Sequence, residues 1–270
     1  MRNVTFGHRV WLVALALTLP LGAAAQSGEG SPHTVTTTKF TIDDVSISKT
    51  FYEDLIGLPE LRRYVDEGRL VEPFMGWSED GRMGLLAYEV KENVKKSPYP
   101  VSVVFLPDLN AVQARFEAAS QPFNLYELDG GVRLGIVTDP SGNAIELLEL
   151  EGDPKVAGAR LIVDDREAVE EWFVTVFDAK VDNRIVTDTF DEVFLNLGQG
   201  MFVALYEPLG ADAGPQPKSE HPVVAIYSTA YDDVLKRIQD IGLPVRQRGD
   251  RVLFADDPSG NVVEVVRQSN

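Results

Sequence analysis

Apolar residues along this chain follow two rhythms. Ile47, Phe51 and Leu55 recur every fourth residue, and Val169, Trp172, Phe173, Val176 and Phe177 trace one apolar stripe in the second half of the chain, the spacing of amphipathic helices. A second helix in each half is read from Val112, Phe116 and Ala119, and from Val234, Leu235, Ile238 and Ile241, with Gly242 placed to end the latter. Short runs rich in β-branched and aromatic residues surround these helices. They include "KFTID", "MGLLAYEV", "VSVVFL", "VRLGIV" and "AIELLEL", then "ARLIV", "VFLNL", "MFVALYE", "VVAIYS", "RVLFA" and "VVEVV". Gly198-Gln199-Gly200 predicts a hairpin turn between two of them. The order strand, helix, several strands occurs four times, which predicts an α+β fold of four βαβββ modules.

The four modules form two similar halves. Asp44 matches Asp165, Ser97 matches Ser219 and Gly142 matches Gly260 at nearly constant separation. The clearest repeat is "VTDPSGNAIELLEL" with "FADDPSGNVVEVVR". Asp-Pro-Ser-Gly-Asn is turn chemistry, because Pro fixes φ, Gly and Asn tolerate positive φ, and Asp and Ser bond the backbone locally. Each strand after the turn carries one carboxylate. Glu146 shares its face with Ala144 and Leu148, and Glu264 shares its face with Val262 and Val266. A carboxylate among apolar neighbours needs a cation, a metal or a proton.

Composition narrows the setting. Residues 1–25 read as a cleavable secretory signal, with Arg2 and Arg9 ahead of an apolar run from Val10 to Leu21 and Ala23-Ala24-Ala25 before Gln26. Residues 26–36 read as a flexible lead-in, 37–150 as the first domain, 151–156 as a linker and 157–267 as the second domain. The chain carries net charge −17; loss of the two leader arginines takes 25 basic residues to 23 against 42 acidic ones, net −19. That surface disfavours nucleic acid and anionic lipid as partners. The absence of Cys excludes thiol nucleophiles and Cys-ligated zinc or iron–sulfur sites, and the leader takes one of the three His, leaving His33 and His221.

The segment "DDVSISKTFYEDLIGL", with "DPSGNAIEL" closing the unit, resembles a domain of the vicinal oxygen chelate superfamily, the fold of glyoxalase I, bleomycin-resistance proteins and extradiol dioxygenases. A more diverged copy covers the second half. The resemblance implies two tandem glyoxalase-like domains of curved mixed sheets, each with a cleft where the metal enzymes hold a divalent ion. Of the ligand positions it implies, only the Glu after the turn matches, at Glu146 and Glu264. The first-strand positions fall on Thr37 and Gly158, and the second-module positions on Val101 and Val223, with His221 two residues before the latter. Glu89 and Glu207 lie at strand ends, beyond the remaining position. The metal candidates are therefore His221, Glu264 and Glu146, short of the three ligands and open position that metal catalysis needs.

A cation is the expected partner instead. Arg133 and Arg251 stand at matching places ahead of Glu146 and Glu264. If Val137 faces Ala144 across the hairpin, each Arg lies diagonally beside its Glu and forms a structural ion pair. Asp43-Asp44 and Asp164-Asp165 read as helix caps, and "VKENVKK" as a solvated basic loop. No nucleophile elbow, Walker loop or zinc-binding helix motif is present, and catalytic residues stay unassigned. The expectation is an exported, periplasmic or secreted protein that binds a small organic ligand in its clefts with no cofactor, in the manner of the antibiotic-sequestering members. Two alternatives stand beside it: a metal-dependent lyase or dioxygenase using His221 and Glu264, and a non-catalytic structural or interaction protein. N-terminal sequencing of protein from the producing cell should give a start at Gln26 or within a few residues of it; an intact Met1 would refute the leader.

Overall fold

The computed structural model describes residues 30–91, 95–128 and 130–269; the leader lies outside them. The first module contains β1 (His33–Thr41), α1 (Val45–Thr50) running on into a π-helical turn (Phe51–Ile56), β2 (Glu60–Asp66), β3 (Leu70–Ser78) and β4 (Gly81–Tyr88). The second contains β5 (Ser102–Leu106), α2 (Leu109–Ala118), β6 (Asn124–Glu127), β7 (Arg133–Thr138) and β8 (Ala144–Glu149). The third contains β9 (Lys155–Ile162), α3 (Arg166–Phe177), β10 (Lys180–Val186), β11 (Phe190–Asn196), the short β12 (Gln199–Gly200) and β13 (Phe202–Pro208). The fourth contains β14 (Pro222–Ser228), α4 (Tyr231–Asp240), β15 (Val245–Arg248), β16 (Val252–Asp256) and β17 (Val262–Arg267).

Local chemistry sets the helix starts. The Asp44 carboxylate accepts from the Ile47 N–H, and that of Asp165 from the Ala168 N–H, at 2.9 and 3.0 Å, so both act as the caps their positions suggest. The stripe expected on the first helix is not the one buried. Ile47 is 58% exposed, while Phe51, Tyr52 and Ile56 are buried. Past Phe51 the register shifts to a wider π turn: the Gly57 N–H donates to the Tyr52 carbonyl five residues back, and Gly57 ends the helix at φ 86°. The shift brings the Tyr52 hydroxyl to the Asp139 carboxylate, 2.9 Å away, and ties the helix to the first DPSGN turn.

Two sheets result, and each draws on both halves of the chain. One runs β15-β16-β17-β14-β1-β4-β3-β2 and the other β10-β11-β13-β9-β5-β8-β7-β6. The first module therefore joins the fourth through antiparallel β1 and β14, with Thr37 opposite Ala225. The second joins the third through β5 and β9, with Ser102 opposite Ala159. Residues 33–36, read from sequence as lead-in, belong to β1, because the buried His33 anchors its start through Nδ1 to the Ser228 hydroxyl at 3.0 Å. The Val101 carbonyl accepts from both the Thr38 hydroxyl and the Arg160 N–H, so one backbone oxygen links the two sheets. The main core includes Phe51, Phe116, Trp172, Phe173 and Tyr231 from the helices, together with one face of each sheet.

Residues 35–152 or 155–270 expressed alone would each lack the partner module for both of their sheets. Neither half should melt cooperatively as a monomer, and co-expression should restore a cooperative complex; a monomeric half with a sharp transition by calorimetry would contradict the cross-half pairing.

Candidate functional site

Strand alternation puts Phe40 and Ile42 into the main core and turns Lys39 to the opposite face of the first sheet. There its ammonium lies 2.6 Å from Glu264 Oε2 on β17 and 3.0 Å from Glu72 Oε1 on β3. The second sheet repeats the arrangement. Arg160 on β9 reaches Glu146 Oε2 through Nη1 at 2.9 Å and Glu192 Oε1 on β11 through Nε at 2.7 Å. Neighbouring backbone makes room for the first triad: Gly84 stands opposite Lys39 on β4, and a β-carbon there would lie 2.5 Å from Glu72 Oε1.

Burial and charge compete inside both triads. Burial opposes the Lys39 charge, but Glu264 and Glu72 outweigh it and hold the ammonium above its ordinary range; Arg160 is held up in the same way by Glu146 and Glu192. Burial raises Glu72 and Glu192 against the pull of their cations. Each triad thus pairs one fixed cation with two glutamates, and burial pushes Glu72 and Glu192 towards the neutral acid.

The surroundings of the two triads differ. In the first sheet, Arg62 and Arg82 lie 4.3 and 5.1 Å from the centre of the Phe74 ring, and Arg82 donates to the Tyr227 hydroxyl. Arg248 on β15 pairs with Asp66 on β2 at 2.7 Å, joining the two outer strands of that sheet. Tyr88 and His221 stack with ring centroids 3.8 Å apart and flank a cavity of about 340 Å³ that reaches Arg69, Lys91 and Glu220. Burial raises the Tyr88 phenol, which also feels the charges of Lys39 and Glu72. In the second sheet the corresponding face is packed: Leu134, Leu148, Ile162, Phe190, Tyr99 and Tyr206 form their own cluster, and Phe105, Ile136 and Phe194 rest against it. The second triad is 0–2% exposed, whereas Glu264 of the first keeps 13%.

A cation does meet each glutamate of the repeat, but it is not the arginine expected. Val137 faces Ile145 rather than Ala144, a slip of one residue, so Arg133 falls on the other face and pairs with Glu149 at 3.1 Å. Glu264 faces Phe254, and Arg251 is exposed beside Arg267, whose N–H donates to the Arg251 carbonyl. Glu146 and Glu264 lie in different sheets, and His221 sits on the rim of the first cleft. Glu207 accepts from the Arg166 N–H instead of facing a cleft metal. The sequence reading passed over Lys39, Glu72, Arg160 and Glu192. Their signal was available: Lys39 and Arg160 are cations at matching places in the first strand of each half, as Glu146 and Glu264 are carboxylates at matching places in the last.

No protein-family model and no curated protein matches the sequence. Solved structures do match. Glyoxalase I from Zea mays is 16% identical over 87% of this chain and 92% of its own, with TM-score 0.71. A putative dioxygenase from Bacillus subtilis is 15% identical over 89% of this chain and 86% of its own, with TM-score 0.66. At these identities the likeness is one of fold, the fold of glyoxalase I.

The residues do not fit the divalent ion that this fold implies. A metal site needs about three protein ligands, and a cation already seated on a carboxylate opposes a second beside it. Here an ammonium lies on Glu264 and a guanidinium on Glu146. Among the described residues, no three His, Asp or Glu side chains are grouped to hold an ion.

Removing a cation from a buried pair strands its carboxylates. Arg160→Met should therefore cost about 3–5 kcal/mol in urea unfolding, whereas Arg133→Met, at a quarter-exposed pair, should cost about 0–1 kcal/mol. The reverse order would make Arg133 the partner that matters.

Proposed function

We propose that this protein, built on a vicinal oxygen chelate fold, binds a small planar organic molecule in the cleft of its first sheet without a divalent metal. The stacked Tyr88–His221 pair carries the reading: it offers a flat aromatic wall to a cavity of about 340 Å³, a size that suits a small ligand. Arg69, Lys91, Glu89 and Glu220 all line that cavity, so a ligand with both donor and acceptor groups suits it better than a purely apolar one. Lys39, on the same sheet, acts electrostatically on Tyr88, and its raised proton affinity makes it a fixed charge rather than a nucleophile. The second sheet, with its face packed, serves as scaffold.

The reading includes export. The leader ending at Ala25 would deliver an acidic, cysteine-free protein to the periplasm or medium, where it would hold its ligand without nucleic acid or lipid as partner. Among the described residues no helix is long and apolar enough to cross a membrane.

Thermal melting tests both parts of the ligand claim. A panel of planar heteroaromatic phenols and amides should contain compounds that raise the melting temperature of the wild type, and Tyr88→Ala should abolish the rise. EDTA should leave the wild-type transition unmoved. A chelator-dependent drop reversed by one divalent metal would instead favour the metal-dependent lyase or dioxygenase.

A further inference from the structure

The strand path of the first sheet ends on β15 at one side and β2 at the other, yet these two outer strands meet. Arg248 Nη2 donates to Asp66 Oδ2 at 2.7 Å and to the Tyr64 hydroxyl at 3.4 Å. Strand register places this contact on the face that carries the Lys39 triad. Tyr64 stands opposite Glu72 across β2 and β3, so Asp66, two residues on, shares that face. Arg248 stands opposite Val252 across β15 and β16, and Phe254, two residues on, stands opposite Glu264. The sheet therefore curls until its flanks touch. Each flank brings one glutamate to Lys39, and the strands further out join through Arg248 on the same face.

The second sheet is held differently. Among the described residues no ion pair joins its outer strands β10 and β6, and Arg184 of β10 turns to Asp191 of the neighbouring β11. Apolar side chains cover its triad, which is 0–2% exposed, whereas Glu264 of the first triad keeps 13%. The Arg248 contact is also of a kind that parts. Arg248 and Asp66 are 43% and 28% exposed, and an exposed ion pair is weak and screened by salt. Asp66 accepts from Arg69 Nη1 at 3.0 Å as well, so it keeps a cation when Arg248 turns into water, and Arg69 lines the cavity of about 340 Å³. We infer that Arg248 and Asp66 form a gate on the first sheet, where the outer strands part and rejoin to open and cover the face that holds Lys39 and Glu264.

The distance between the outer strands reads the gate. The chain has no Cys, so Val65→Cys and Gln247→Cys, at exposed positions beside Asp66 and Arg248, take the only two spin labels. Pulsed electron paramagnetic resonance on the full chain should give one short distance at low ionic strength. A second, longer one should grow in about 1 M sodium chloride, where the screening length falls to about 3 Å. Arg248→Gln should raise the long-distance fraction severalfold at low salt and leave little further response to salt. Should that variant fail to fold, the salt titration of its parent decides. A distribution that neither salt nor Arg248→Gln changes would overturn the gate. So would a salt response as large in Arg248→Gln as in its parent, because other charges would then carry it. The measurement uses no ligand, so a cleft that binds nothing in the melting panel leaves this test intact.

Discussion

A cation enclosed with two carboxylates is the arrangement on which both sheets depend. Removing such groups from water costs several kcal/mol for each ion, and the mutual attraction compensates only when every partner is in place. Lys39 takes Glu72 from its own module and Glu264 from the fourth; Arg160 takes Glu192 from its own module and Glu146 from the second. Each triad thus spans the seam between two modules. A pairing that left out the distant glutamate would enclose the same cation with half its compensation, so the charges favour one assembly of four similar modules over others. Gly84 belongs to this requirement, because any side chain there would displace Glu72.

The module order and the turns were legible in the sequence because they rest on local chemistry. The DPSGN turns, the aspartate caps and the central apolar strands all follow from neighbouring residues. The outer strands were harder to read: "ELRRYVD", "NLYE" and "VRQR" are mostly exposed, so no alternation marks their faces. The first helix misled for another reason, since Ile47 would join Phe51 and Leu55 on one face only if the turns kept α-helical width. In the site, the need for a cation beside Glu146 and Glu264 was readable from their apolar neighbours. Its identity was not, because it turned on a hairpin register that one residue of slip reverses. The pairing of modules across the halves was equally open, since the repeat itself is compatible with either arrangement.

The two clefts have diverged although their triads match. Around Arg160 the space that could receive a ligand is taken by aromatic and aliphatic side chains. Around Lys39 the neighbours are themselves charged or half-exposed, with Arg62 and Arg82 set against Phe74 and the Arg248–Asp66 pair joining the outer strands. Duplication followed by the filling of one copy would leave a rigid support for the other. A fixed lysine also gives the open cleft a charge that does not depend on the supply of any metal.

The sheet pairing also carries a temporal order. The second and third modules are consecutive, so their sheet can close over a short stretch of chain as soon as β9 follows β5. The other sheet must bring β1 against β14, at opposite ends of the described chain, and the entropy lost in closing so long a loop is regained only once its strands pair. The sheet built around the enclosed Arg160 triad is thus the natural nucleus, and the Lys39 sheet forms last around it. A chain emerging from its N-terminus would hold its first module unpaired until the fourth module arrived, and the Lys39 triad would be complete only with β17.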